Sequence, residues 1–209
     1  MPYIIQVASN ASEDRLEKLI TERLTPGADK EAIDRRIWDL FGETWAVMFT
    51  DLSGFSRHVA RFGIIHFLQV IFESQRLLIP CIDRHDGILL KVEGDSMLVI
   101  FRRGVRAIEC AIEMQRVLKT YNVNKSPEEQ VLLCVGLGYG RMLRIGDHDV
   151  YGPEVNAASK LGEDTAEAWE ILATDAVKKE AEQMVNVMFE PIDVIPPGAE
   201  RAFRVGYTI

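Results

Sequence analysis

The chain has 209 residues, of which 47% are hydrophobic and 27% charged, enough for one good core plus a small appendage. Its net charge of −8 shows none of the basic surplus that a nucleic-acid binder advertises, so carboxylates serving solubility or metals are the better reading. No run of 18 apolar residues exists and the N-terminus MPYIIQVASNASEDR has no basic n-region, so a cytoplasmic chain with no membrane contact is expected.

Residues 11–42 read as a charged helical preface. Ser12, Glu13 and Asp14 suit a helix start, and Leu16, Leu19, Ile20 and Leu24 follow at helical spacing. Pro26-Gly27 breaks the segment, then Ile33, Ile37, Leu40 and Phe41 mark a second short helix that Gly42 stops. Too few apolar residues are present for this preface to fold alone, so it should pack on the main domain or on a second copy. The expected division is a helical extension over 1–44 and the main domain over 45–209.

From Trp45 the run WAVMFTDL reads as a buried strand ending at Asp51. The spacing predicts a helix over 64–84, which Pro80 should kink or end. Two apolar runs, ILLKV and SMLVIF, flank the tight Glu93-Gly94-Asp95 corner and predict a β-hairpin. A second amphipathic helix is expected over 104–121, then a polar loop NVNKSPEEQ and the Gly-rich strand VLLCVGLGYGRML. Val155 to Glu167 reads as a helix, Glu170–Thr174 as a strand, Asp175–Gln183 as a helix, and two strands close the tail near 185–192 and 201–208. The order β-α-β-β-α-β, with its central hairpin, is the ferredoxin-like arrangement of an α+β fold, followed by extra αβαββ elements.

Two acids stand at strand ends. Asp51 closes VMFTD, and Asp95 sits at the hairpin corner in KVEGDSM. The first strand neighbours the hairpin in such a sheet, so both carboxylates can converge on one point. With backbone carbonyls they suit Mg²⁺, which prefers oxygen ligands and leaves positions for phosphate oxygens. The turn Leu52-Ser53-Gly54-Phe55-Ser56 runs toward a helix, and its amides offer an anion site for polyphosphate. Either acid alone reads as an ordinary solvated turn residue; together, beside an amide-rich turn, they point to a metal. Cys81, Cys110 and Cys134 lie far apart in apolar stretches and read as buried thiols in a reducing compartment. His58, His66, His85 and His148 lack metal spacing, and Trp38, Trp45 and Trp169 read as packing residues.

Taken in order, FTDLSGFS, KVEGDSMLVIF, VGLGYGRML and DVYGPEVNAASKLGEDTAEAWEILAT resemble the successive motifs of the class III adenylate and guanylate cyclase catalytic domain, across residues 45–208. The resemblance implies a homodimer acting on ATP, with two Mg²⁺ or Mn²⁺ ions per site held by Asp51 and Asp95 and the carbonyl of Leu52. Ser53, Gly54, Phe55 and Ser56 match the phosphate-contacting loop, and Arg141 matches a position that reaches polyphosphate oxygens. Lys91 and Asp149 fall on the two base-selecting positions. There an ammonium donates to adenine N1 and a carboxylate accepts from the N6 amino group, a pairing guanine would not match. One basic residue of GAERAFRV, Arg201 or Arg204, is a further phosphate-binding candidate.

Asn156 falls where the family orients the ribose, and Lys160 stands where the family has its transition-state arginine. Asn156 and Lys160 are i, i+4 on a helix and so share a face. Lysine brings charge without the planar guanidinium fork, and losing one transition-state contact costs about 3 kcal/mol, or roughly 100-fold in rate. The resemblance further implies that the metal acids come from one subunit and Asn156 with its basic partner from the other. The two competing readings are a nucleotide-binding dimerisation module whose chemistry has lapsed at Lys160, and a diguanylate-cyclase-like domain. The latter would want a GG[DE]EF loop where this hairpin has VEGDS.

Overall fold

The computed structural model describes residues 10–54 and 63–208. Two helices, α1 (Ala11–Leu24) and α2 (Lys30–Phe41), come first. The Asp29 carboxylate caps α2 by accepting from the Ala32 amide at 3.0 Å. Strand β1 (Gly42–Leu52) follows without a gap, starting three residues before the apolar run begins at Trp45. Next come α3 (Ile64–Arg84), the hairpin β2 (Ile88–Glu93) and β3 (Ser96–Phe101), α4 (Gly104–Asn122) and β4 (Leu133–Ile145). The remainder is β5 (Asp149–Tyr151), α5 (Pro153–Glu163), β6 (Ile171–Thr174), α6 (Asp175–Glu180), β7 (Met188–Ile192) and β8 (Ala202–Gly206).

The βαββαβ order is therefore present, and the strands form one sheet in the order β2-β3-β1-β4-β6-β8-β7, with β5 pairing on β4. Strand β1 is central and antiparallel to both neighbours, β3 and β4. Its side chains alternate between two buried faces, as period-two geometry requires. Ala46 and Met48 join the core under α3 and α4 with Val99, Leu78 and Leu118. Trp45 and Val47 point the other way, toward Val155 and Ala158 of α5.

Helix α5 lies unusually close to β4. A Cβ on Gly136 would sit 2.1 Å from the Ala158 carbonyl, and one on Gly138 2.3 Å from that of Glu154. The glycines of GLGYG are what allow this helix to rest backbone to backbone on the sheet. The half-buried Glu154 carboxylate pins the helix start, accepting from the Tyr139 amide at 3.0 Å and the Thr174 hydroxyl at 2.7 Å. Burial pushes the Glu154 carboxyl up from its ordinary range.

The preface packs on the domain, as its composition demands: Leu19, Ile33, Ile37 and Phe41 form a small core with Ile145 of β4. Arg23 and Asp34 tie α1 to α2 at 2.6 Å. Among the described residues no helix is long and apolar enough to cross a membrane. The three cysteines are free and buried.

Several boundaries differ from those the sequence predicts. Helix α3 is not ended by Pro80. Leu78, Cys81 and Ile82 on either side are buried in the main core, and that burial offsets the roughly 3 kcal/mol that proline costs inside a helix. Pro80 itself, and Arg76 one turn earlier, are exposed, so the carbonyl left without an amide donor faces solvent. Helix α5 begins at Pro153 and stops at Glu163, not at Glu167. Proline suits the first helical position, while the Thr165 hydroxyl donates to the Lys160 carbonyl at 2.8 Å and the Ala166 amide to that of Leu161, also at 2.8 Å, closing the last turn. Helix α6 likewise ends at Glu180, short of Gln183.

Candidate active site

The register of β1 on β3 decides the first half of the site. Thr50 faces Met97, so Asp51 falls beside Ser96 and the hairpin corner. The Ser96 hydroxyl donates to Asp51 Oδ1 at 3.3 Å. Gly94 takes φ +62°, the left-handed geometry a two-residue hairpin turn requires at its first central position, and Asp95 is thereby turned back toward Asp51. Burial, and next the Asp95 charge, push the Asp51 carboxyl up to about 6. Burial also raises that of Asp95, against the opposing pull of nearby backbone N–H groups. Asp95 Oδ2 is buried with no hydrogen-bond partner.

Two carboxylates that resist ionisation beside each other, one with an orphaned oxygen, fit a hard cation. A divalent ion would supply the missing partner and reverse the pressure against charge. Among the described residues no cluster of three or more His, Cys, Asp or Glu is placed to hold a metal. Among the described residues, further ligands would be backbone carbonyls, beside substrate oxygens. Leu52 contributes its buried side chain to the core, while its amide lies against both carboxylates.

The phosphate-loop expectation is only partly open to inspection. The Ser53 amide donates to the Leu132 carbonyl at 2.8 Å, so that N–H is committed to the sheet edge and Ser53 can reach an anion only through its hydroxyl. Gly54 turns the chain with φ +89°. Phe55 and Ser56, and the helix expected directly behind the turn, lie outside the described residues.

The second half of the site is a cavity of about 230 Å³ between β2, β3, β5 and α5. Lys91, Ser96, Asp149, Tyr151, Asn156 and Glu163 are among its lining residues. Lys91 Nζ donates to Asp149 Oδ2 at 2.6 Å, and that bond raises the lysine pKa. Asp149 Oδ1 accepts from the Val150 amide at 3.0 Å, and Oδ2 also accepts from the Tyr151 hydroxyl at 3.1 Å. Lys91 and Asp149, 58 positions apart in the chain, thus meet because a bulge in β2 at Leu90 and the short β5 hairpin aim them together.

Other sequence-predicted residues lie elsewhere in the single chain. Lys160 is absent from the cavity wall; its ammonium pairs with Asp164 at 3.1 Å on the exposed face of α5. Arg141 stacks its guanidinium 4.7 Å over the Trp38 ring of α2. It pairs in register with Thr44, whereas Asp51 pairs with Cys134, so the two are separated by roughly 23 Å of strand at about 3.3 Å per residue. Arg204 is held by Glu170 at 2.6 Å, and Arg201 stands exposed at the start of β8. Trp45 packs as expected, and Trp38 also serves as the platform for Arg141. Sequence reasoning gave Ser96, Tyr151 and Glu163 no role in the site. Adjacency to Asp95 was a signal for Ser96; no local pattern marks the other two.

The family model for the adenylate and guanylate cyclase catalytic domain matches residues 42–195. The chain belongs to that family. Its curated relatives include "Putative adenylate cyclase 3" of Rhizobium meliloti (strain 1021), 29% identical over 132 residues, covering 63% of this chain and 21% of that protein. Another is the serine/threonine-protein kinase pkn2 of Myxococcus xanthus, 30% identical over 160 residues, covering 76% of this chain and 19% of that protein. The cyclase-family chain therefore spans about a fifth of the length of these relatives. Among solved structures, an adenylate/guanylate cyclase/hydrolase from Silicibacter pomeroyi superposes with a TM-score of 0.66 at 23% identity, covering 78% of this chain and 95% of that one. The adenylyl cyclase CyaB from P. aeruginosa gives 0.66 at 20% identity, with 80% and 96% covered. These likenesses establish the fold of the domain.

Proposed function

We propose that this domain is an adenylate cyclase, converting ATP to 3′,5′-cyclic AMP and pyrophosphate at sites shared between two copies of the chain. The observation that carries the choice of base is the Lys91–Asp149 pair at 2.6 Å in the cavity wall. A donor and an acceptor side by side match adenine, whose N1 accepts and whose N6 amino group donates. Guanine presents a carbonyl and an N–H in those places and would, once it covers them, leave both groups mispaired, at about 1–3 kcal/mol each. A relative named as an adenylate cyclase supports the same choice.

Asp51, Asp95 and the Leu52 carbonyl would hold Mg²⁺ or Mn²⁺, which when bound supply Lewis acidity toward the ribose 3′-hydroxyl and the α-phosphate. The chain's own groups do the rest. Ser96 holds Asp51 in place, Asn156 on α5 orients the ribose, and the α5 backbone resting on β4 fixes where Asn156 points. The 3′-hydroxyl gives up its proton to solvent, and its oxygen bonds to the α-phosphorus as the bond to pyrophosphate breaks. A single-chain cavity of about 230 Å³ is smaller than the roughly 300–1,000 Å³ of ordinary small-molecule sites. That shortfall suits a site completed by a second copy across a two-fold axis. Lys160 is nearly free to join it, because an exposed i, i+4 pair such as Lys160–Asp164 holds by only about 0.3–0.5 kcal/mol.

A second reading rests on that same pair. Lys160 faces Asp164 and not the cavity, as expected if the domain binds nucleotide and dimerises with little or no turnover. Incubation with ATP, GTP, CTP and UTP plus Mn²⁺, with products read by mass spectrometry, separates the two. Cyclic AMP as the dominant product supports the cyclase. ATP binding without any cyclic product from the wild type and from Lys160→Arg moves the regulatory module into first place.

A further inference from the structure

Asp149 is held at both oxygens. Oδ1 accepts from the Val150 amide at 3.0 Å. Oδ2 accepts twice, from Lys91 Nζ at 2.6 Å and from the Tyr151 hydroxyl at 3.1 Å. A carboxylate oxygen offers about two lone-pair sites, so these two donors fill Oδ2. If Lys91 turns its ammonium to an incoming ring nitrogen, one site on Oδ2 opens, while the phenol keeps the other.

We propose that Tyr151 is a positioning residue for base recognition: its hydroxyl fixes the Asp149 carboxylate so that the site vacated by Lys91 faces the exocyclic amino group of adenine. The inference rests on the adenine reading of the cavity and adds to it a residue that touches Asp149 rather than the reacting atoms. The phenol is well placed for the task. Tyr151 ends β5, whose pairing of Leu143 with Tyr151 and Ile145 with Asp149 anchors both residues to β4. Tyr151, itself exposed, also lines a groove with Leu16 and Ile20 of α1 and Trp38 of α2. The Tyr151 pKa is raised, first by burial and next by the Asp149 charge, with Glu13 of α1 adding to it and Lys91 opposing it.

The decisive variant is Tyr151→Phe, which keeps the ring and removes the bond. One ordinary hydrogen bond is worth about 0.5–1.5 kcal/mol, so KM for ATP should rise about 2- to 10-fold. Turnover number should stay within about twofold and KM for GTP should not change. Equal loss for ATP and GTP, or no loss for ATP, would overturn the proposal. The same comparison by equilibrium binding of ATP and GTP applies to a protein without turnover. A third readout needs no nucleotide at all. The phenol titration of Tyr151, isolated as the ultraviolet difference between wild type and Tyr151→Phe, should move to lower pH in Asp149→Asn. If it does not move, the phenol and the carboxylate are uncoupled in solution and the proposal falls, whatever the domain does with ATP.

Discussion

Asp51 and Asp95 stand half-buried against each other with their carboxyls pushed toward the neutral form, one oxygen left without any partner. In the cavity wall, by contrast, Lys91 and Asp149 satisfy one another, and Tyr151 and the Val150 amide complete the carboxylate's bonding. The first corner lacks a positive charge and the second already contains its own. Under the proposed function, the difference separates the corner that would call on an external cation from the corner the fold has preorganised. Stress against ionisation at one corner is the usual signature of a place where a ligand supplies the balance.

The largest expected effect comes from breaking the stressed corner. Asp51→Ala or Asp95→Ala should lower cyclic AMP formation by about 100-fold or more, with circular dichroism and sedimentation unchanged. Full activity in either variant removes the metal pair from the proposal. A 1:1 mixture of Asp51→Ala and Asn156→Ala chains, under subunit exchange, should recover about a quarter of wild-type activity. Half of the random dimers are then mixed, and each has one intact site of two. A mixture as inactive as its parents argues against shared sites.

The preorganised corner should respond in preference more than in rate. Lys91→Glu should erode the ATP-to-GTP ratio of kcat/KM by about 10-fold or more, because the new carboxylate faces the same acceptor on adenine. Equal wild-type rates on ATP and GTP would mean that the pair does not read the base. A smaller change, several-fold in kcat with KM steady, is expected from Lys160→Arg. Asp164→Asn, which frees the existing ammonium, should act in the same direction and more weakly. An unaltered rate in Lys160→Ala would make the lysine a bystander.

The smallest effect concerns stability in the absence of metal. Asp51 has its folded pKa at about 6, above the ordinary carboxylate value. The neutral carboxyl therefore favours the fold at low pH, and that contribution is lost as pH rises through about 6. In EDTA the melting temperature should fall between pH 4 and pH 7, and Asp51→Asn should flatten the fall by a few degrees. Mn²⁺ should restore the wild type at pH 7 and leave Asp51→Asn unmoved. A difference between wild type and Asp51→Asn that grows in the wild type's favour as pH rises over this range would contradict the raised carboxyl.

Much of the fold was legible because its signals are local. Apolar runs bounded by turn residues marked β1 and the hairpin, and helical spacing marked α1 to α4. Strand β5 was missed because three residues, Asp149 to Tyr151, carry no period. Pro80 misled because the helix it sits in is held by burial on both sides, which local propensity does not record. The glycines of GLGYG could be seen but not explained until α5 was found lying against them.

For the site, the sequence by itself determined which charged groups exist and which elements carry them: Asp51 at a strand end, Asp95 at a hairpin corner, Lys91 on β2, Asn156 and Lys160 one turn apart on a helix. Such positions follow from periodicity and turn chemistry within a few residues. Only the tertiary structure decided which of them meet. Strand register brought Asp51 to Ser96 and Asp95, and the β5 hairpin brought Asp149 and Tyr151 to Lys91. Competition between partners settled the rest, sending Arg141 to Trp38 and Lys160 to Asp164. Register and partner choice depend on contacts between residues far apart in the chain, where a shift of a few ångströms exchanges one partner for another. No local pattern encodes that exchange.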